Sequence, residues 1–521
     1  MRADIVVVGG GTNGLTAAAL LARAGRRPVV LERRGVVGGC AVTEEFHPGF
    51  RASTVAHLAG PFRPGLARDL GLEVEFVEAE PRLFAPTPDA EGLSLHGDPE
   101  RTAAEIARFS EKDARAWPEF AACLSRIGRV LSKILAMTPP DLERPRLGEV
   151  LPLLGLGLAF RGLGRRDATR VLRWGPMAVA DFVSEWFETE LLRAALAARG
   201  IWGATAGPWS AGTTTQFLLI TAQQGNAAGA AVHVKGGLGA LSVALAEAAK
   251  RAGATVRTGA AVERLTLKNG RVGGVVLAGG ETIEAEAVVS ALDPQKTFLS
   301  LLDPTLLDPD DARRIRNYRA KGMASKVNLA LSGLPRFKGL GDGETTPLRG
   351  RIHVGPGIDD LERAYDDAKY GRLSRRPYLD VTIPSLVDPS LVPKDRHVLS
   401  AYAQFTPYGA KGDPAAQREE VAEAVLQTLE PYAPGLRSLV LGKQVLLPRD
   451  LEAEYGMTGG HPLHGEPSLD QLFLTRPLLG LARYRAPLAG LYLCGAGTHP
   501  GGGVTGGPGA NAAAEILKDL R

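Results

Sequence analysis

The opening residues of the chain set apolar runs around glycine. Asp4-Ile5-Val6-Val7-Val8 is a short β-branched run of the kind that forms buried parallel strands. Three glycines follow. Leu15 to Leu21 is then small and aliphatic, which predicts a helix ending near Gly25, where a left-handed cap costs little. Pro28-Val29-Val30-Leu31-Glu32 reads as a second strand, completing a strand–helix–strand unit. From about 100 to 225 the pattern is mostly helical. A second α/β stretch runs from Lys235-Gly236-Gly237-Leu238-Gly239 through an alanine-rich helix to Arg251. Strands through Val256, Val262 and Val275 follow, and the stretch ends at Val288-Val289-Ser290-Ala291. Strand-like alternation then dominates Lys326 to Leu331, Tyr378 to Ile383 and His397 to Phe405. Asp413 caps a helix with Pro414 at its first position and Val421, Val425 and Leu429 on one face. The chain closes on Leu491-Tyr492-Leu493-Cys494, a glycine-rich turn and a helix around Ala510 to Ile516.

Composition narrows the function classes. The 521 residues are 45% hydrophobic and 23% charged, enough for two or three domains with sizeable cores. Basic residues occur in scattered pairs, such as Arg26-Arg27 and Arg313-Arg314, so no nucleic-acid surface is expected. Cys40, Cys123 and Cys494 include no CxxC pair, so neither a redox dithiol nor a metal site is expected, and a reducing, cytoplasmic setting is favoured. The apolar N-terminus is broken by glycines and does not read as a signal peptide. No run of about 20 apolar residues predicts a membrane span. Gly203 to Val232 carries no charge and is rich in Gly, Thr and Gln, which suits a buried wall of a cavity.

Gly9-Gly10-Gly11-Thr12-Asn13-Gly14 satisfies G-x-G-x-x-G in the right setting: after a buried strand, opening a helix, and 18 residues before Glu32. Backbone N–H groups can then approach a pyrophosphate at the helix N-terminus, and Glu32 can accept hydrogen bonds from a ribose. Two further features select FAD over NAD. One is the pair Gly38-Gly39 shortly after the acid. The other is the terminal block from Leu493 to Val504 which, with the helix around Ala510 to Ile516, would set backbone donors and a helix dipole against a flavin ring.

These motifs, with Val42-Thr43-Glu44-Glu45, Lys235-Gly236-Gly237, Leu331 to Pro335 and Ser468 to Gln471, resemble the bacterial phytoene desaturase superfamily. The similarity points to its carotene-ketolase-like branch and to mitochondrial flavoproteins named for a pyridine nucleotide–disulfide oxidoreductase domain. The resemblance implies a discontinuous Rossmann-type FAD domain, an antiparallel-sheet substrate domain and a helical insertion, α/β in class and α+β overall. The expected boundaries are 1–80, 233–300 and 456–521 for the FAD domain, 81–232 for the mostly helical region and 301–455 for the substrate domain. By motif, Gly9, Gly11, Asn13, Gly14, Glu32, Arg33, Gly38 and Gly39 would bind the ADP half, and Val262 would present its backbone to the adenine. Gly495, Val504 and Thr505 would lie at the isoalloxazine. Many relatives carry Arg after the glycine pair, where this chain has Cys40.

His233 and His499 are the candidate proton carriers, with His57 a third. The reading is oxidation, by hydride transfer to flavin N5, of a long apolar, isoprenoid or carotenoid-like substrate. A quinone or dioxygen is the expected electron acceptor. The rivals are an amine oxidase, a redox-neutral flavin isomerase and a non-catalytic flavoprotein. The run Val150 to Phe160 crowds leucines without a charge, flanked by Arg144, Arg146, Arg161, Arg165, Arg166, Arg170 and Arg173. It reads either as core or as a peripheral membrane contact.

Overall fold

The computed structural model describes residues 2–60, 62–141 and 147–520. Two seven-stranded sheets organise it. In the first, Arg2–Val8 lies between Thr282–Ser290 and Pro28–Leu31, and all three run parallel. Thr255–Arg257 continues the sheet beyond Pro28–Leu31, and Leu491–Leu493 joins beside the end of Thr282–Ser290, both parallel. An antiparallel ribbon, Val262–Lys268 with Arg271–Leu277, completes the other edge. Alternation along the first strand decides the layers. Ile5 and Val7 face a core under the helices Thr12–Arg23, Leu238–Arg251 and Gly507–Asp519. Val6 and Val8 face the opposite core, with Phe298 and Ile315. The sheet thus gathers strands from three separated stretches of the chain.

The second sheet runs in the order Val440–Leu446, Ala324–Leu331, His397–Gln404, Tyr378–Thr382, Arg351–Val354, Leu83–Ala85, Leu93–Leu95. Its first five strands pair antiparallel. Val327, Leu329, Leu379, Val381 and Leu399 turn one face to an apolar core that includes Val421, Val425 and Leu429 of the helix Pro414–Leu429. The other face carries polar side chains and is buried as well. The last two strands come from the region expected to be mostly helical; three residues each are too few to show a period.

The helical region centres on the 26-residue helix Glu111–Ala136. Its core joins Trp117, Phe120, Trp174, Phe182, Phe187 and Phe217. Glu190–Ile201 and Thr213–Gln224 from this region reach the cavity described next. Among the described residues no helix is long and apolar enough to cross a membrane.

Candidate active site

One cavity of about 370 Å³ lies between the two sheets. The nucleotide sheet builds its wall from backbone. Gly11 is the N-cap of Thr12–Arg23, with extended backbone, and Gly38 N–H donates to the Gly10 carbonyl at 2.8 Å. The glycine pair is thereby drawn onto the fingerprint loop, where Gly11 and Gly38 form a parallel bridge. The glycines divide by role. A Cβ at Gly14 would stand 2.2 Å from the Gly9 carbonyl oxygen, and one at Gly38 would stand 2.5 Å from that of Ala41. Both positions shape the chain itself. A Cβ at Gly11 would meet nothing closer than Gly39 Cα at 3.9 Å, in space that opens on the cavity. That cleared cradle at a helix N-terminus fits a pyrophosphate.

The Glu32 carboxylate accepts from the N–H of Gly10 (2.8 Å) and of Arg34 (2.9 Å), which fixes it at the cavity wall. Each oxygen keeps a lone pair beyond those bonds. Gly9, Asn13, Gly14, Arg33, Gly39 and Val262 line the same end, and Arg33 also donates to the Glu454 carbonyl.

At the other end of this wall the terminal turn enters. Val504 lines the cavity in the left-handed region, φ 58°. For a β-branched residue that conformation costs on the order of 1–3 kcal/mol and marks a position held by its surroundings. Gly60 passes so close that a Cβ there would lie 1.9 Å from the Gly503 carbonyl oxygen. Two residues expected at the flavin do not line the cavity. Gly495 is absent from the cavity wall; its missing side chain admits the Ala291 and Leu292 carbonyls, 2.7 and 2.6 Å from a built Cβ. Thr505 Oγ1 accepts from Gly507 N–H at 3.2 Å, just before the last helix. Arg476, which the motifs did not reveal, does line this end. Its guanidinium donates to the carbonyls of Leu463 (2.8 Å) and Ala496 (2.9 Å).

The histidines separate in the same way. His233 lies on the strand Val232–Val234, paired with Phe76–Glu78, and its Nε2 meets the Arg349 carbonyl at 3.1 Å. His499 Nε2 meets the Ile134 carbonyl at 2.9 Å. Neither lines the cavity, and burial lowers both to about 4. In each a backbone carbonyl occupies a ring N–H, away from the cavity where the two were expected. His57 does line the cavity. Burial, then the nearby Lys326, lowers it to about 4. Cys494 is fully buried at its strand end, and burial pushes the thiol up to about 12, which leaves it inert.

The opposite wall is made of side chains. Pairing register sets Lys326, Tyr402, Asp380 and His353 in one row across four strands. Asp380 is bonded by Arg351 through Nε (3.1 Å) and Nη2 (2.5 Å), and His57 Nε2 stands 3.6 Å away. Burial raises the Asp380 pKa, but Arg351 and His57 overcome it and hold the carboxyl well below the usual range. Tyr402 donates to the Val55 carbonyl at 2.7 Å, and the buried Lys326 places Nζ 4.7 Å from its ring centre. Gln404, one step along, binds the Ile201 carbonyl (2.6 Å) and Gly203 N–H (3.0 Å). That clamp presents Trp202 to the cavity beside Arg199. Gln216, Leu219, Ile220, Gln223 and Ala230 complete this side, as the uncharged composition of Gly203 to Val232 led us to expect. Sequence reasoning missed Arg199, Trp202, Arg351, Asp380 and Tyr402. For Arg351, Asp380 and Tyr402 the only signal was polar residues at every second strand position, which ordinarily marks a solvated face, and Arg199 and Trp202, at the end of a helix, gave none.

The family model described as flavin containing amine oxidoreductase matches residues 14–517. The chain belongs to this family. As a member it is an FAD-dependent oxidoreductase. The rat pyridine nucleotide-disulfide oxidoreductase domain-containing protein 2 (Rattus norvegicus) is 36% identical, over 99% of this chain and 94% of its own length. The neurosporene-forming phytoene desaturase of Cereibacter sphaeroides is 26% identical, over 99% and 94%. These two relatives bear out the superfamily and the branch that the motifs suggested. Wild-type putrescine oxidase, in a structure bound to putrescine, superposes with a TM-score of 0.61 at 16% identity, covering 100% of this chain and 99% of its own. That likeness concerns the fold.

Proposed function

We propose that this flavoenzyme dehydrogenates an apolar, isoprenoid-like substrate. The observation that carries the reading is the character of the wall facing the fingerprint. Leu58, Trp202, Leu219, Ile220, Leu463 and Leu472 surround the space with apolar surface. Asp380, the carboxylate on that side, is already neutralised by Arg351. No free anion remains there, among the described residues, to hold an ammonium group. Trp202 and Tyr402 meet edge to face, 88° apart with centres 5.7 Å apart, so they do not form the parallel cage that an amine site uses. A relative named as a phytoene desaturase supports the same direction.

When bound, FAD supplies the acceptor for a hydride equivalent. The chain's own part is to hold the ADP half with Gly9, Gly11, Asn13, Gly14, Glu32, Gly38 and Gly39, and to present the backbone at Val262 to the adenine. Val504 and Arg476 would stand at the ring, where a cation favours an anionic reduced form. The apolar wall excludes water and aligns an allylic C–H bond. His57 Nδ1, which has no hydrogen-bond partner among the described residues, is the atom we assign to take the neighbouring proton, with Asp380 positioning the ring through Nε2. The fold contains one complete strand–GxGxxG–helix–acid unit among the described residues, so we assign reoxidation to a quinone or dioxygen rather than a bound NAD.

Anaerobic mixing tests this. Isoprenoid alkenes should bleach the flavin and leave a product two hydrogens lighter, whereas amines leave it yellow. Bleaching by amines alone would overturn the reading, and an unchanged product mass would favour the isomerase.

We also propose that the helix Leu147–Gly162 docks on a membrane surface. Leu151, Leu154 and Leu158 are 75%, 57% and 68% exposed, so the core alternative is set aside. Residues 151–155 are all exposed, so the apolar surface runs round the helix rather than along one stripe. Of the flanking arginines, Arg166, Arg170 and Arg173 pair with Glu119, Asp167 and Glu185. Arg161 and Arg165 keep no acid partner among the described residues. Arg144, Arg146 and the side chain of Val150 lie outside the described residues.

A further inference from the structure

Three arginines stand on the cavity wall opposite the fingerprint or at its end, and they are handled differently. Arg351 is neutralised by Asp380. Arg476 has no acid partner among the described residues, but its two terminal nitrogens donate to the carbonyls of Leu463, Gly465, Glu466, Gln471 and Ala496. Arg199 also lacks an acid among the described residues and, like Arg476, leaves Nε unpartnered, but it meets three neutral acceptors where Arg476 meets five. It is 2% exposed on the helix Glu190–Ile201. Nη1 donates to the Ala227 carbonyl at 2.5 Å, and Nη2 to Thr221 Oγ1 and Gln224 Oε1 at 2.9 Å each. Nε is buried with no partner. No carboxylate lies within ion-pair reach of it among the described residues. Burial, then repulsion from Arg351, lowers its pKa to about 9. A guanidinium kept in so dry a place without a counter-charge is costly unless something that enters the cavity supplies one.

We propose that Arg199 anchors a carboxylate at one end of an otherwise apolar substrate, so that the enzyme acts on isoprenoid-type acids rather than plain hydrocarbons. This rests on the dehydrogenase reading and narrows its substrate class. Two neutral donors accompany the cation. The Gln223 amide and the Trp202 indole N–H both belong to the cavity wall and hold no hydrogen bond in the described structure. Gln223 Oε1 lies 3.9 Å from where a Cβ on Gly503 would stand, so this side chain spans from the helix Thr213–Gln224 to the terminal turn. One uncompensated cation with two neutral donors matches a monoanion. A diphosphate would require several cations. The remaining charges nearby cancel or are absent: Asp380 belongs to Arg351, and burial favours the neutral forms of His57 and Lys326. Leu219 and Ile220 continue from the anchor as apolar surface for the rest of the molecule.

The test uses the FAD-loaded protein and follows the visible flavin spectrum during titration. Citronellic acid, its methyl ester and geranyl diphosphate are the probes. The acid should bind roughly tenfold or more tightly than the ester, as a charge-assisted contact in a dry site requires. Arg199→Gln should bring that ratio close to one while retaining FAD. Should the variant lose its flavin, Gln223→Leu replaces it and must weaken the acid selectively, by a few-fold. Equal affinities for acid and ester in the wild type would overturn the anchor and leave the dehydrogenase reading standing. Preference for the diphosphate would overturn the carboxylate assignment. Bleaching of the flavin by amines instead of alkenes would sink the parent reading, whatever the acid-to-ester ratio.

Discussion

The two sheets build their halves of the cavity by opposite means. The parallel sheet uses backbone: glycines at 9–14 and 38–39 bring N–H groups to a helix N-terminus and keep side chains out of the way. The antiparallel sheet uses side chains: Lys326, Tyr402, Asp380 and His353, from four strands, become neighbours only through pairing register. We propose that the backbone half binds the cofactor and the side-chain half selects the substrate. It also separates what a linear sequence can reveal. A backbone site is written in contiguous residues, whereas a register-built site is scattered over some eighty positions and reads as ordinary alternation.

The sharpest way to break this comparison is inside the fingerprint itself. Gly14→Val should prevent folding, because its Cβ has no room against the Gly9 carbonyl. Gly11→Val should fold and yet retain no FAD, since its side chain enters only the space reserved for the ligand. Circular dichroism and the absorbance of a denatured extract distinguish the two. Equal flavin content in Gly11→Val and wild type would end the assignment of that cradle.

The side-chain wall predicts the next largest effect. Asp380→Asn leaves the buried Arg351 without its anion and should destabilise the protein by about 3–5 kcal/mol, measured by denaturant unfolding. The sign with pH follows from the depressed carboxyl. Its contribution is complete above the unfolded value near about 3.9 and is lost as pH falls through the lower folded value. Wild type should therefore lose stability below about pH 4 more steeply than the variant. Parallel acid limbs would mean that the pair contributes little.

The helical region sharpens the comparison from outside both sheets. Leu151→Ser/Leu154→Ser/Leu158→Ser should stay folded and yellow but leave anionic liposomes on flotation, while wild type floats. A wild type that never floats would contradict membrane docking. Smallest of all, His233→Gln and His499→Gln should each change turnover by less than about threefold, because neither ring reaches the cavity. A loss of a hundredfold with normal FAD content would return that histidine to the reaction.

Much of the fold was legible for definite reasons. Ile5 to Val8, the fingerprint, Glu32 and Leu491 to Cys494 each combine an apolar run with a glycine signal, and their strands belong to one sheet. Leu83–Ala85 and Leu93–Leu95 escaped because they are too short for any period. Gly495 and Thr505 were assigned to the ring from their motif, and in the fold Gly495 packs against the Ala291 and Leu292 carbonyls while Thr505 bonds Gly507 N–H. Asp380 and Arg351 could not be singled out, because nothing local shows that the polar face of their sheet is buried. The leucine run around 151–158 was ambiguous for the same reason: sequence gives apolarity, and only packing gives exposure.

The central claim is that the space between the sheets brings an apolar C–H bond to the flavin. Its most direct test is the rate of anaerobic flavin bleaching by an isoprenoid acid deuterated at its allylic carbon. The account predicts slower bleaching than with the protiated acid, and a product two hydrogens lighter than the substrate. Bleaching that is insensitive to deuterium and yields unchanged substrate mass would contradict it.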